Sequence, residues 1–193
     1  QTLLFSATFE AQIKQLALEF MRNPQQVQVS AQNAIAATIT HRVHPVDGSR
    51  KRDLLIDILT RRHSDQVLIF GKTKHGCNRL AEQLETAGLP AVAIHGNKSQ
   101  AQRQKALNQF KSGKARILVA TDVAARGLDI PNLPLVINHD LPMVAEDYIH
   151  RIGRTGRNGM QGEALSLVSS DEAGLLRQIQ RLLKTDVVMD VVE

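Results

Sequence analysis

Val67-Leu68-Ile69-Phe70 and Ile117-Leu118-Val119-Ala120 are unbroken apolar runs of strand length. A strand with one wet face alternates apolar and polar residues. A solid run instead suits a strand buried on both faces, as in a parallel sheet covered by helices. Working outward, further strands are predicted at Leu3–Phe5, Val27–Val29, Ile39–Val46, Ala91–Ile94, Leu135–Asn138 and Ala164–Val168. Helix-period segments fill the spaces between them, at Phe9–Met21, Arg50–Arg61, His75–Ala87, Gln100–Lys111, Ala145–Ile152 and Asp171–Leu183. This alternation predicts βαβ units, and hence an α/β domain of three layers: a mainly parallel sheet with helices on both faces. Asn23-Pro24 stops the first helix and Gly88, followed by Pro90, stops the third.

The 193 residues suffice for one domain and a little more. Residues 30–38 are small and polar without periodicity and are predicted to be a linker. Residues 1–29 would then be the tail of a preceding domain, and residues 39–193 a complete α/β domain. The opening stretch from Gln1 already reads as a buried strand running into a turn, so a fragment of a longer protein is expected.

The net charge of +5 favours a polyanionic partner. Aromatic residues make up only 3% and Trp is absent, which argues for phosphate contacts over base stacking. Cys77 is the single cysteine, so no intrachain disulfide can form, and a reducing cytoplasmic setting is expected. No apolar run approaches ~18 residues, so no membrane span is expected. The histidines lack ligand spacing, and no metal site is predicted; the number of subunits is left open.

In open parallel sheets, ligands bind beyond the carboxyl ends of the strands, and the chemically interesting residues fall there. His150-Arg151-Ile152-Gly153-Arg154-Thr155-Gly156-Arg157 places arginines every three residues at a helix end, predicted to share one face. Guanidinium forks suit phosphate, although three arginines alone are more often a solvated helix end. Ala120–Asp129 follows a buried strand. It offers the Thr121 hydroxyl, Gly127 for close backbone approach and Asp129 as an acceptor for ribose hydroxyls, against the ordinary role of a polar turn with a helix cap. In Ile94–Arg103, Ser99 is the predicted N-cap, putting Gln100 and Arg103 one turn apart at a helix N-terminus that favours anions. Ser6-Ala7-Thr8 ends another strand. Gly71-Lys72-Thr73 lacks the earlier glycine of a phosphate-binding P-loop, so Lys72 is given no such role.

Together and in this order, the segments closely resemble the DEAD-box RNA helicases of superfamily 2. Ser6-Ala7-Thr8 matches motif III, Leu68–Lys74 motif IV, Ala120–Asp129 motif V and His150–Arg157 motif VI; His95-Gly96 with Gln100 and Arg103 resembles motif IVa. The run Ile94–Gln100 looks most like the bacterial RhlE-type branch. The resemblance implies the C-terminal RecA-like half of an ATP-dependent RNA helicase. Arg154 and Arg157 would reach the γ-phosphate of ATP, with Gly127 and Asp129 at the nucleotide. Gln100, Arg103 and Thr121 would hold RNA phosphates, with Gly96 and Thr73 as weaker candidates. Ser6 and Thr8 would couple the nucleotide site to RNA, and His150 and Arg151 would bond across to acidic residues of an N-terminal RecA-like domain. No Walker A loop, Asp-Glu-Ala-Asp run or adenine-reading Gln motif is present. The Mg²⁺ ligands are therefore expected in that N-terminal half, and this chain is expected to be inactive alone. A superfamily 2 DNA helicase or translocase domain, and a non-catalytic RNA- or protein-binding module, remain the alternatives.

Overall fold

The computed structural model describes residues 2–6, 11–27, 38–63, 65–130, 132–156, 159–184 and 188–189. The chain divides into two units, Gln1–Ala34 and Ile35–Glu193.

The first unit carries helix α1, Ala11–Phe20, in which Ala17 is buried while Leu18 and Phe20 are exposed. Asn23 adopts a φ of 45°, a left-handed turn its short polar side chain tolerates, and Pro24 blocks further helix. The strand predicted at Leu3–Phe5 does not form. Residues 2–6 have no regular structure, and Leu3 and Phe5 are exposed. A strand needs ladder partners for its backbone groups, and the described residues of this unit contain no second strand. Val27 is likewise irregular and exposed, and residues 28–37, which include most of the predicted linker, lie outside the described residues.

In the second unit the apolar runs pair as one sheet. The strands are β1 (Ile39–Pro45), β2 (Val67–Phe70), β3 (Ala91–Ile94), β4 (Ile117–Ala120), β5 (Leu135–Asn138), β6 (Gly162–Val168) and β7 (Val188–Met189), in the order β3-β4-β2-β5-β6-β1-β7. Every pairing is parallel. The central strands β2, β4 and β5 are buried at all positions, as their unbroken apolar character requires.

The period-two alternation of side chains sorts the helices onto two faces. Val67, Ile69, Ile117, Val119, Leu135 and Ile137 point one way. They pack against Leu55 and Leu59 of α2 (Lys51–Arg61) and Cys77, Leu80 and Leu84 of α3 (Lys74–Thr86). Leu68, Phe70, Leu118 and Val136 point the other way, against Leu107 and Phe110 of α4 (Gln100–Lys111) and Ala124 and Ala125 of α5 (Asp122–Ala125). That face continues where Val136 stands beside Ala164. There Val43, Ala164 and Val168 meet Tyr148 and Ile152 of α6 (Ala145–Ile152) and Leu176 and Ile179 of α7 (Ala173–Leu183). The result is the three-layer α/β architecture with helices on both faces.

Neither α5 nor β7 is expected from the sequence. Helix α5 is four residues long and β7 only two, too short for either periodicity to register. Among the described residues, no helix is long and apolar enough to cross a membrane.

Candidate functional site

Because the strands are parallel, their carboxyl ends share one edge, and the order β3-β4-β2-β5 sets four loops side by side there. These loops hold Gly96 (after β3), Thr121 (after β4), Gly71–Thr73 (after β2) and His139-Asp140 (after β5).

Ser99 caps α4 as expected. Its hydroxyl accepts from the Gln102 amide, and the Gln102 side chain accepts from the Ser99 amide at 2.9 Å, a complete capping box. Gln100 and Arg103 therefore stand on the first turn of a fixed helix. Among the described residues, Arg103 Nε is the one buried side-chain polar atom without a hydrogen-bond partner. Below them, His95 is buried, with Nε2 at 2.9 Å from Asn78 Oδ1 while Nδ1 accepts from the Asn97 amide at 3.3 Å. Burial, together with the charges of Lys98, His75 and Lys74, holds its pKa below the ordinary histidine value, which fits this neutral bonding pattern. Lys74 Nζ reaches Asn97 Oδ1 at 3.0 Å over Gly96, where a Cβ would come 3.5 Å from Lys74 Cε.

Thr121 occupies the N-cap position of α5 but makes no side-chain cap bond. The ordinary structural role of a Thr there is thus not taken up. Thr73 differs: its Oγ accepts the Gly76 amide at 3.0 Å and caps α3.

Arg151 and Arg154 do not share a helix face. Helix α6 ends at Ile152, Gly153 turns the chain, and Arg151 and Arg154 leave in different directions. Arg151, expected to bond across to another domain, is engaged within its own lobe. Its side chain is 2% exposed and lies over the Phe70 ring at 4.9 Å. Its guanidinium donates to both Asp122 oxygens, to Asn138 Oδ1 at 3.0 Å and to Asp140 O at 2.6 Å. A buried guanidinium needs such partners, and this lobe supplies four hydrogen bonds to its five N–H groups. His150, in the last turn of α6, is half-buried.

Arg154 turns toward the loop after α5. Nη1 donates to Leu128 O at 3.2 Å and Nη2 to Ala125 O at 3.1 Å. Gly127 bends that loop with a φ of +71°, conformational space that a side chain would disfavour. The Leu133 amide donates to Arg154 O, and the Thr155 hydroxyl donates to Leu133 O, stitching the same loop to the chain that carries Arg154. Asp129 closes the turn; its carboxylate accepts from Lys111 Nζ at 2.6 Å. Gly156 serves the packing of the strand edge, since a Cβ there would overlap the Ile39 side chain.

Arg154, Gly127 and Asp129 are thus brought together, as are Gly96, Gln100 and Arg103. Ser6 is exposed in the first unit, while Thr8 and Arg157 lie outside the described residues. Sequence reasoning missed Asp122, Lys111 and Asp140. The signal for Asp122 was present: an arginine beside Ile152 on an apolar helix face calls for a carboxylate, and Thr121-Asp122 supplies one at a strand end.

Residues 50–159 match the family described as the helicase conserved C-terminal domain. The chain belongs to this family. Its relatives make it the C-terminal helicase domain of the DEAD-box RNA helicase group. It is 42% identical over 186 residues to the ATP-dependent RNA helicase DbpA of Bacillus subtilis, covering 96% of this chain and 39% of that protein. To the ATP-dependent RNA helicase DBP3 of Kluyveromyces lactis it is 44% identical over 190 residues, covering 95% of this chain and 38% of the relative. The chain therefore spans about two fifths of these curated relatives. Saccharomyces cerevisiae Dbp5 bound to RNA and ADP BeF3 superposes with a TM-score of 0.86 at 31% identity, covering 97% of this helicase domain and 50% of that chain. A DEAD box protein of Methanococcus jannaschii gives 0.76 at 38% identity, covering 98% and 50%. The three-layer architecture of this helicase domain is the RecA-like fold of such C-terminal domains.

Proposed function

We propose that this domain works as the second lobe of an ATP-dependent RNA helicase, supplying an arginine to the triphosphate and part of the grip on RNA. The observation that carries this reading is the alignment along 96% of the chain with a protein named an ATP-dependent RNA helicase. Two groups of side chains fit it. Gln100 and Arg103, on a capped helix N-terminus, and the uncapped Thr121 hydroxyl suit RNA phosphates. Arg154, on the turn with Gly127 and Asp129, suits a nucleotide: Asp129 accepts from the ribose, and Arg154 and Arg157 answer charge on the γ-phosphoryl group.

On this reading residues 1–29 belong to the preceding RecA-like lobe, residues 30–38 link the two, and residues 39–193 are the second lobe. ATP and RNA close the lobes on each other. Arg154 then exchanges the carbonyls of Ala125 and Leu128 for phosphate oxygens, and the RNA backbone is held from both sides and bent, opening a short duplex. Loss of the γ-phosphate removes the arginine's partner and the lobes part. Ser6 and Thr8 relay between the two sites, and His150 faces the first lobe. The Mg²⁺ that accompanies ATP is assigned to that lobe. A cytoplasmic setting fits the single, buried Cys77. The finer assignment to the RhlE-type branch rests on the run Ile94–Gln100.

The test is ATP hydrolysis by the two-lobed protein with RNA and with DNA of equal length. Stimulation by RNA alone is expected. Equal stimulation by DNA would favour a DNA translocase, and no stimulation by either would favour a non-catalytic binding module.

A further inference from the structure

Asp129 is the most exposed carboxylate of the candidate nucleotide site. Its side chain is 94% exposed, and it follows Gly127, whose φ of +71° turns the chain outward. A carboxylate in that situation samples several rotamers, so it meets a ligand only after losing that freedom. One group from elsewhere in the fold limits it. Lys111 is the last residue of α4, and its Nζ lies 2.6 Å from Asp129 Oδ2 across 18 residues of sequence. A lysine at a helix C-terminus ordinarily lies against the terminal carbonyls or in water; here the ammonium turns to the carboxylate.

The helix end that carries Lys111 is itself fixed. Leu107 and Phe110 are in the core, Phe110 O accepts from Gln66 Nε2 at 2.7 Å, and the Gly113 amide caps Phe110 O at 3.0 Å. On its other side the turn is held by Arg154, through the carbonyls of Ala125 and Leu128. The turn 125–129 is therefore bracketed by two cations, Arg154 from the turn after α6 on its backbone and Lys111 from the end of α4 on its carboxylate.

We propose that Lys111 is a positioning residue for the nucleotide, orienting the Asp129 carboxylate so that its remaining lone pairs meet the ribose hydroxyls. The assignment rests on the reading of Asp129 as the ribose acceptor. An ionised carboxylate has about four acceptor sites. Lys111 occupies one on Oδ2 and leaves Oδ1 toward solvent, so ribose and lysine bind the same carboxylate without competing. Hydrogen bonding and charge from Lys111 also lower the Asp129 pKa. An exposed ion pair of this kind contributes little to folding, so removing it leaves the lobe folded and shows its effect at the site.

The experiment measures RNA-stimulated ATPase of the full-length, two-lobed protein with ATP, 2′-deoxy-ATP and 3′-deoxy-ATP, for the unaltered protein, Lys111→Met, Lys111→Arg and Asp129→Asn. The unaltered protein is expected to show a lower KM for ATP than for at least one deoxy analogue. Lys111→Met keeps the aliphatic stem and lowers that KM ratio by about 3- to 10-fold, as expected for loosening a hydrogen bond to a charged group, with kcat within about twofold. Lys111→Arg restores the ratio, and Asp129→Asn lowers it as Lys111→Met does. A merely structural lysine would shift all three nucleotides alike and leave the ratio intact, which overturns the proposal while sparing the ribose assignment. Absence of any preference in the unaltered protein overturns the ribose assignment and this proposal with it.

Discussion

The Arg151 guanidinium closes on the Asp122 carboxylate in a two-pronged pair, Nε to Oδ1 at 2.6 Å and Nη2 to Oδ2 at 2.7 Å. The pair ties α6 to the first turn of α5. The same arginine reaches the end of β5 and the loop after it through Asn138 and Asp140, so two strand ends, those of β4 and β5, share one cation. Asn138 passes the contact on to Ser166 Oγ in β6 at 3.0 Å. Arg151 thus sets the spacing of the platform that carries Thr121.

Removing one side of this pair leaves a buried charge without its partner. Asp122→Ala is expected to lower unfolding stability by about 3 kcal/mol, the lower end for a buried pair because the Asp122 side chain keeps 26% exposure. Urea denaturation monitored by circular dichroism measures it. Arg151→Lys is expected to lose most of the same stability, since an ammonium cannot span Asp122, Asn138 and Asp140 together. A loss below about 1 kcal/mol in both variants would show the pair to be dispensable.

Asp140 predicts an acid limb. Burial would raise its pKa, but the His139 ring, the Lys72 amide and Lys51 outweigh that and bring it to about 2. The Asp140–Lys72 bond is 2.9 Å, and Lys51 lies 3.9 Å away. A folded pKa below the unfolded value of about 3.9 stabilises the fold above that pH, and the gain is lost as pH falls through about 2. Asp140→Asn is expected to cost about 2 kcal/mol near neutral pH and to flatten the decline below about pH 4. Parallel urea-midpoint profiles for the two proteins would contradict this.

The capping box at the start of α4 is a local device with a measurable effect. Ser99→Ala frees the Gln102 amide and is expected to cost about 1 kcal/mol, and Gln102→Ala somewhat less. The two losses should be less than additive, because each partner completes the other's bond. Thermal unfolding of the single and double variants reads the coupling.

Cys77 is buried against Gly71, and burial first, then the Asp140 charge, pushes its thiol pKa up to about 11. At pH ~8 only about one thiol in a thousand is ionised. A thiol reagent should leave the native protein unmodified over hours and label it promptly in urea. Rapid labelling without denaturant would show that α3 opens from the sheet.

How much of this was legible in the sequence follows from the length scale of each signal. The apolar runs at Val67–Phe70 and Ile117–Ala120 were readable because a doubly buried strand excludes polar residues at every position. Ser99 was readable because a cap acts within one turn of chain. Leu3–Phe5 misled because apolarity without a pairing partner makes no strand. The geometry of the arginine motif was not legible. The helix ends at Ile152, one residue before the glycine, so threefold spacing ceased to mean a shared face. Nor could local spacing show Lys51, buried between Glu172 at 2.5 Å and His139 O at 2.8 Å, since its partners lie 121 and 88 residues away.

The proposed function turns on Arg154. Its fork is docked on the carbonyls of Ala125 and Leu128, on the turn that carries Asp129, and the proposed function requires it to move to the transferred phosphoryl group. The direct test is the RNA-stimulated kcat of the full-length, two-lobed protein with Arg154→Lys. A fall of about 10³-fold or more with RNA binding retained is predicted, because a lysine cannot reproduce the planar fork. A kcat within a few fold of the unaltered protein would show that Arg154 does not serve the triphosphate.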